Sequence, residues 1–208
     1  MHTQAHRGIT HREHLMKWIF SRRTPSPIEE LQQSLEALQR AAPFVPTPWA
    51  IAREMLEFAK VGPTDTVYDL GSGDGRIPIL AAQEFGCKAV GIERDMDLCR
   101  YSERRVAELQ LENQVAFQCA DFFQADLRPA TVVTLYLLSA VNGQLQARLA
   151  SHLKSGSRVV ALDFEVPGWR PLRTKTVVSE ASVEYKLLLY ARTMSPGGCS
   201  ASGSAIGR

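Results

Sequence analysis

The sequence predicts an α/β fold built on a doubly wound, mostly parallel sheet, and three observations predict it. Aliphatic and β-branched runs of strand length alternate with amphipathic runs of helix length from residue 64 to residue 164. The run Val67-Tyr68-Asp69-Leu70-Gly71-Ser72-Gly73-Asp74-Gly75-Arg76 passes from a strand into a helix through three alternating glycines. After residue 164 the segment Glu165–Arg173 is too short and too proline-rich for another crossover helix, so the last two apolar runs are expected to close the sheet as an antiparallel pair.

Each element has its own signal. Residues 1–24 are polar and basic and read as a mobile tail, with His2, His6, His11 and His14 at spacings that match no metal site. Around Trp18-Ile19-Phe20, the charges of Arg12, Lys17, Arg22 and Arg23 offer an alternative, weak contact with an anionic membrane surface. Residues 25–60 form a helical cap and a proline-rich linker. Ser26-Pro27-Ile28-Glu29 starts a helix with Ile28, Leu31, Leu35 and Leu38 on one face. Three prolines stiffen Ala42–Pro48, and Thr47 is expected to cap a helix from Pro48 to about Lys60, ended by Gly62-Pro63. Residues 61–194 form the main domain. Strand 64–70 leads to helix 75–85, strand 88–93 to helix 95–110, and strand 114–120 to a loop. Strand 132–138 then leads to helix 141–153 and strand 158–164, and the pair 174–180 and 182–194 completes seven strands. Residues 195–208 are rich in Gly and Ser and read as a disordered tail.

Composition narrows the classes. With 208 residues, 45% of them hydrophobic, the chain can bury one sizeable core and a small appendage. A net charge of +2 does not argue for a nucleic-acid partner. No apolar run reaches the length of a transmembrane helix. The cysteines, Cys87, Cys99, Cys119 and Cys199, show no metal or redox spacing, which predicts reduced thiols in a cytoplasmic protein and no metal site.

The glycine turn points to one ligand. A dinucleotide fold would place a third glycine of G-x-G-x-x-G where Arg76 stands, and Asp69 beside the turn would repel a pyrophosphate. S-adenosylmethionine (SAM) fits instead, with an ammonium group for Asp69 and a carboxylate for the amides around Gly71, Ser72, Gly73 and Gly75. Glu93, about twenty residues further on at the next strand end, suits the ribose hydroxyls; its alternative is a solvated charge or a cap for the helix starting near Asp95. Asp121 suits the adenine amino group, and Phe122 or Phe123 suits the ring face, the alternative for either aromatic being ordinary core.

These residues resemble class I SAM-dependent methyltransferases over roughly residues 43–194. More narrowly, they resemble the lysine methyltransferases that modify the ATP synthase c-ring and the adenine nucleotide translocase, together with their prokaryotic relatives. The resemblance rests on Phe44-Val45-Pro46-Thr47-Pro48, Asp69–Ile77, Asp121-Phe122-Phe123, Ala130–Leu138, Val141-Asn142 and Trp169-Arg170-Pro171. It implies a Rossmann-like seven-strand methyltransferase sheet and methyl transfer to a lysine ε-amine of a protein, membrane-associated in the mitochondrial members. Ser139 departs from the proline that relatives often carry, and the long hydrophobic segment of those mitochondrial members is missing.

SAM is already activated at its sulfonium, so the enzyme mainly aligns donor and acceptor. A lysine, with a reference pKa of about 10.4, must also lose its proton, and desolvation can bring that about. The expected acceptor site lies between Thr47 in the linker, Tyr136 and Asn142 at the fourth strand end, and Trp169. Tyr136 is expected to position the amine, with packing as the alternative, and Trp169 has the alternative of covering the sheet edge. The Asn/Asp-Pro-Pro-Tyr/Phe run used on adenine or glutamine amino groups is missing. A small-molecule acceptor and a non-catalytic SAM-binding module stay as alternatives.

Overall fold

A computed structural model describes Ser26 and residues 44–192. The expected basic tail, the helix beginning at Ser26, the membrane-facing Trp18 cluster and the C-terminal tail lie outside the described residues. The chain divides into two units, Met1–Pro43 and Phe44–Arg208. Residues 44–48 of the linker and the helix after them fall in the same unit as the sheet.

The second unit runs α1 (Trp49–Phe58), β1 (Thr66–Leu70), α2 (Arg76–Phe85), β2 (Lys88–Glu93), α3 (Met96–Glu108), β3 (Val115–Cys119), β4 (Val132–Leu135), α4 (Ser139–His152), β5 (Arg158–Leu162), β6 (Arg173–Val178) and β7 (Glu184–Ala191). The seven strands form one sheet in the order β3-β2-β1-β4-β5-β7-β6. Strands β1 to β5 are parallel, and β7 is antiparallel to both β5 and β6. The strand order reverses between β1 and β4, which opens a crevice at their carboxyl ends.

Period-two alternation divides the sheet into two faces. Val67, Ala89, Val115, Val132, Val160 and Leu187 share one core with residues of α1, α2 and α3. Tyr68, Ile92, Val133, Val159, Leu188 and Tyr190 share the other with α4 and the loop through Leu127. By the same alternation Asp69, Gly91, Glu93, Thr134 and Tyr136 belong to the first face, where α2 and α3 start.

At the opposite end of the strands, a polar network ties distant segments together. The Arg158 guanidinium donates to the Ala59 carbonyl at 2.7 Å and the Lys60 carbonyl at 2.8 Å, and pairs with Asp65. Asp65 also accepts from the Thr131 hydroxyl at 2.6 Å and the Gly62 amide at 2.9 Å.

Two sequence expectations change. The residue before α1 is Pro48, and no side chain caps that helix; the Thr47 carbonyl instead accepts from the Arg76 guanidinium at 2.6 Å. The cysteines are not all reduced, because Cys99 and Cys119 form a disulfide with their Cα atoms 5.7 Å apart. Their separation of 20 residues matches no motif, and only the packing of α3 on the sheet brings them together. Cys87 is free and buried. No helix among the described residues is long and apolar enough to cross a membrane.

Candidate active site

The turn after β1 is held from below by the neighbouring strand and from one side by Glu93. The amides of Gly71 and Ser72 donate to the Ile92 carbonyl at 2.9 and 3.1 Å, and the Gly73 amide donates to Glu93 Oε2 at 2.8 Å. The other Glu93 oxygen accepts from the Asp95 amide at 2.8 Å. Glu93 is thus no helix cap: that role belongs to Asp95, which accepts from the amides of Asp97 and Leu98. One loop below, Asp74 and Arg76 pair at 2.6 Å, and Arg76 also lies 5.3 Å from the centre of the Trp49 ring. This arginine, standing where a dinucleotide site needs glycine, therefore ties the turn to the linker.

Asp69 is buried, with 4% of its surface exposed. Its Oδ1 accepts from the Thr134 hydroxyl at 2.6 Å, and Thr134 is fully buried on the adjacent strand. Burial pushes the Asp69 carboxyl up to about 7, against the pull of the Thr134 hydrogen bond, and the carboxylates of Glu93 and Asp74 push the same way. None of the ion pairs among the described residues includes Asp69. A desolvated carboxylate without a counter-charge is costly to ionise. The fit to SAM follows directly, because an ammonium group brought to Asp69 supplies the missing charge, whereas a pyrophosphate adds to the repulsion.

Three glycines are required by close approach, and at Gly75, φ +76°, an added Cβ would lie 2.5 Å from the Phe117 ring and 2.8 Å from Ser102 Oγ. Phe117 of β3 and the Ser72 hydroxyl press against Gly91, where an added Cβ would collide with the ring and lie 2.7 Å from Ser72 Oγ. Gly73, at φ +55°, carries the Phe44 ring directly over it. Sequence reasoning identified the glycines of the turn and the motif that begins at Phe44, but missed Gly91 and Phe117, whose signal is a glycine inside a strand. Gly91→Ala is expected to lower stability by about 1–3 kcal/mol and to weaken SAM binding, while Gly62→Ala, with nothing within 4 Å of the new methyl, leaves both unchanged. Thermal melts and equilibrium binding check both variants.

The remaining expected residues are distributed as follows. Asp121 lies just beyond β3, and its Oδ1 accepts from the Phe123 amide at 2.9 Å. Phe122 and Phe123 form a tilted pair with centroids 4.9 Å apart and pack on the second core. Tyr136 packs on the first core and stacks on Phe164 beyond β5, with centroids 6.1 Å apart. Burial raises the Tyr136 phenol above its ordinary value, and Asp163 and Tyr185 add to the shift. Asn142 is fully buried, and its amide faces the carbonyls of Leu137, Phe164 and Glu165 at 3.1, 3.1 and 3.2 Å. It joins the loops after β4 and β5, and its Oδ1 has no hydrogen-bond partner. Trp169 does not join Tyr136 and Thr47. It meets Tyr190 edge-on at 5.9 Å on the second core, across the sheet. Alternation puts residue 136 and residue 190 on opposite faces, and the tryptophan follows Tyr190.

Comparisons with known proteins agree with this geometry. The family model of the ANTKMT methyltransferase domain matches residues 69–173. A protein-lysine N-methyltransferase of Saccharolobus islandicus (strain REY15A) is 41% identical over 149 residues, 71% of this chain and 92% of that protein. The adenine nucleotide translocase lysine N-methyltransferase of Mus musculus is 31% identical over 62% of this chain, which spans only 57% of that relative. A crystal structure described as an RNA methyltransferase from Salinibacter ruber in complex with S-adenosyl-L-homocysteine superposes with a TM-score of 0.68 at 42% identity. The match covers 74% of this chain and 97% of that one. With its glycine turn, its unpaired buried carboxylate and its seven-strand sheet, the chain belongs to the ANTKMT methyltransferase family and is a SAM-dependent methyltransferase.

Proposed function

We propose that the chain methylates the ε-amine of a lysine presented by a protein substrate. In this reading Asp69 holds the SAM ammonium, the turn Gly71-Ser72-Gly73-Gly75 holds the carboxylate end, and Glu93 accepts from the ribose. Asp121 and Phe122 serve the adenine. The observation that carries the reading is the Tyr136–Phe164 stack on the same face of the sheet as Asp69. An aromatic wall there suits an alkyl chain ending in a cation, with cation–π attraction until the proton leaves. The archaeal relative, named as a protein-lysine N-methyltransferase, supports the same acceptor.

SAM, when bound, supplies an electrophilic methyl group, and the residues of this chain do the positioning. Burial keeps the Tyr136 phenol protonated, so it orients the amine through its hydroxyl and does not act as the base. Asn142 fixes the carbonyl of Phe164 and so the stack itself. Thr47 and Arg76 hold the linker against the turn on this side. Deprotonation follows from desolvation of the ammonium group in the aromatic site.

Methyl-labelled SAM added with the enzyme to a cell lysate tests the proposal. Label in protein, recovered as methyl-lysine after hydrolysis, is the expected result. Label in RNA, or in small molecules alone, overturns it, and binding without transfer reduces the chain to a SAM-binding module. Tyr136→Phe is expected to lower turnover about tenfold or more with SAM affinity within a few-fold of the parent. Trp169→Ala is expected to lower stability with no selective loss of turnover, as its place on the second core requires.

A further inference from the structure

We propose that Cys99 and Cys119 form a thiol–disulfide exchange site whose oxidised state fixes the cofactor turn, so that SAM affinity follows the redox poise. This coupling acts on cofactor binding, whatever the methyl acceptor. Both sulfurs lie one step from the groups that grip the Gly73 peptide. Cys99 and Ser102 share the buried face of α3, one turn apart, and the Ser102 hydroxyl donates to the Gly73 carbonyl at 3.2 Å. Cys119 is the register partner of Glu93 across β2 and β3, and Glu93 accepts from the Gly73 amide at 2.8 Å. The disulfide therefore closes a ring around this peptide: Gly73, Ser102, Cys99, Cys119, Glu93 and back to Gly73. Opening that ring frees α3 to shift against β3, and the two grips on Gly73 lose their common frame. A turn that spends part of its time out of the binding geometry binds SAM more weakly by the fraction lost.

Exposure sets the order of the exchange. Cys99 is fully buried and Cys119 is half-buried, so Cys119 is the sulfur that an outside reagent reaches. The Cys119 thiolate attacks a low-molecular-weight disulfide and expels one thiolate, giving a mixed disulfide. The Cys99 sulfur then attacks Cys119 and expels the second thiolate. Two protein thiols and one small disulfide thus become one protein disulfide and two small thiols, the two protons passing to the expelled sulfurs. Glu103, one turn from Cys99, places a carboxylate oxygen 3.9 Å from the Cys119 sulfur and repels an incoming anionic thiol. Cys87 does not compete, because it is buried and its thiol is pushed up to about 11 by burial, with Asp65 adding to the rise. The donor atoms of Cys99, Glu103 and Cys119 lie within 4.8 Å of one another and have the composition of a soft-metal site. Bonded sulfurs have no thiolates to offer, so a metal there would need the reduced pair.

The test equilibrates the full chain in glutathione buffers of varied ratio, reads the disulfide by alkylation and mass spectrometry, and measures SAM binding in each. Oxidation is expected to follow a two-electron transition and to tighten SAM binding at least about fivefold. Cys119→Ser is expected to bind SAM like the reduced parent at every ratio. Glu103→Gln is expected to be reduced faster by glutathione while keeping the affinity difference. Equal SAM affinity in the two redox states of the parent overturns the proposal, and so does failure to oxidise at any ratio. Uptake of one zinc ion by the reduced chain, restoring the affinity of the oxidised form, overturns it in favour of a metal site.

Discussion

Asp69→Asn is expected to make the ligand-free protein more stable at pH 8 and, in the same molecule, to weaken SAM binding at least tenfold. The opposite signs share one cause. In the folded chain the Asp69 carboxyl is raised from 3.8 to about 7, first by burial and then by the charges of Glu93 and Asp74. Between pH 4 and 7 the unfolded chain has released this proton while the folded chain still holds it. Stability from the neutral carboxyl is therefore fully present below about pH 4 and is lost as pH rises through 7. A shift of this size corresponds to about 4 kcal/mol at most, at 1.36 kcal/mol per pH unit. Asparagine keeps an oxygen for the Thr134 hydroxyl and never ionises, so the gain over the parent should be large at pH 8 and vanish near pH 4. SAM binding moves the other way, because a charge-assisted contact contributes about 1.5–3 kcal/mol and asparagine cannot supply it. In the parent, SAM affinity should also rise with pH through about 7, and in Asp69→Asn that dependence should be missing. Denaturant titrations at the two pH values, with SAM binding across the range, read all of this. A variant less stable than the parent at pH 8 would mean that Asp69 is already satisfied as an ion.

Arg158→Met is expected to cost about 3 kcal/mol of stability and to leave SAM affinity unchanged. Methionine retains much of the aliphatic bulk, so the loss isolates the guanidinium. Without it the Ala59 and Lys60 carbonyls lose their donor, and Asp65 keeps only neutral donors, Thr131 and Gly62. The network lies at the end of the strands away from the glycine turn, which is why binding should not respond. Urea unfolding and SAM titration of the same preparation test both halves. A loss under about 0.5 kcal/mol would show that the pair is an ordinary surface ion pair, and a loss of SAM binding would show that the two ends of the sheet are coupled.

Much of this protein is legible because its signals are local. A strand must alternate or run apolar, a helix must repeat on one face, and a chain turning under a ligand must leave out side chains. Accordingly, the segments of β1, β2, α2 and α3, the antiparallel closing pair, the glycine turn and the carboxylates Asp69 and Glu93 follow from residues near one another in the chain. Boundaries drift where local preference is weak: the fourth strand is expected over 132–138, yet β4 stops at Leu135. The capping expected of Thr47 fails on the same ground: the helix starts one residue later, Pro48 stands at the cap position, and proline has no side-chain acceptor to offer.

The α/β class, the SAM cofactor and the strand ends proposed to hold it can be read from the chain without coordinates, because each depends on spacing within a few residues or on the alternation of one strand. Which side chains share a face, and which meet across it, emerges from the folded sheet alone. Folding bonds Cys99 to Cys119, joins Arg158 to Asp65 across 93 residues, sets Phe117 under Gly91 and puts Trp169 on the far face from Tyr136. Those pairings depend on strand order and register, and the strand order here brings β4 beside β1 and β7 beside β5. Contacts of that kind form when the sheet closes, and no run of neighbouring residues encodes them.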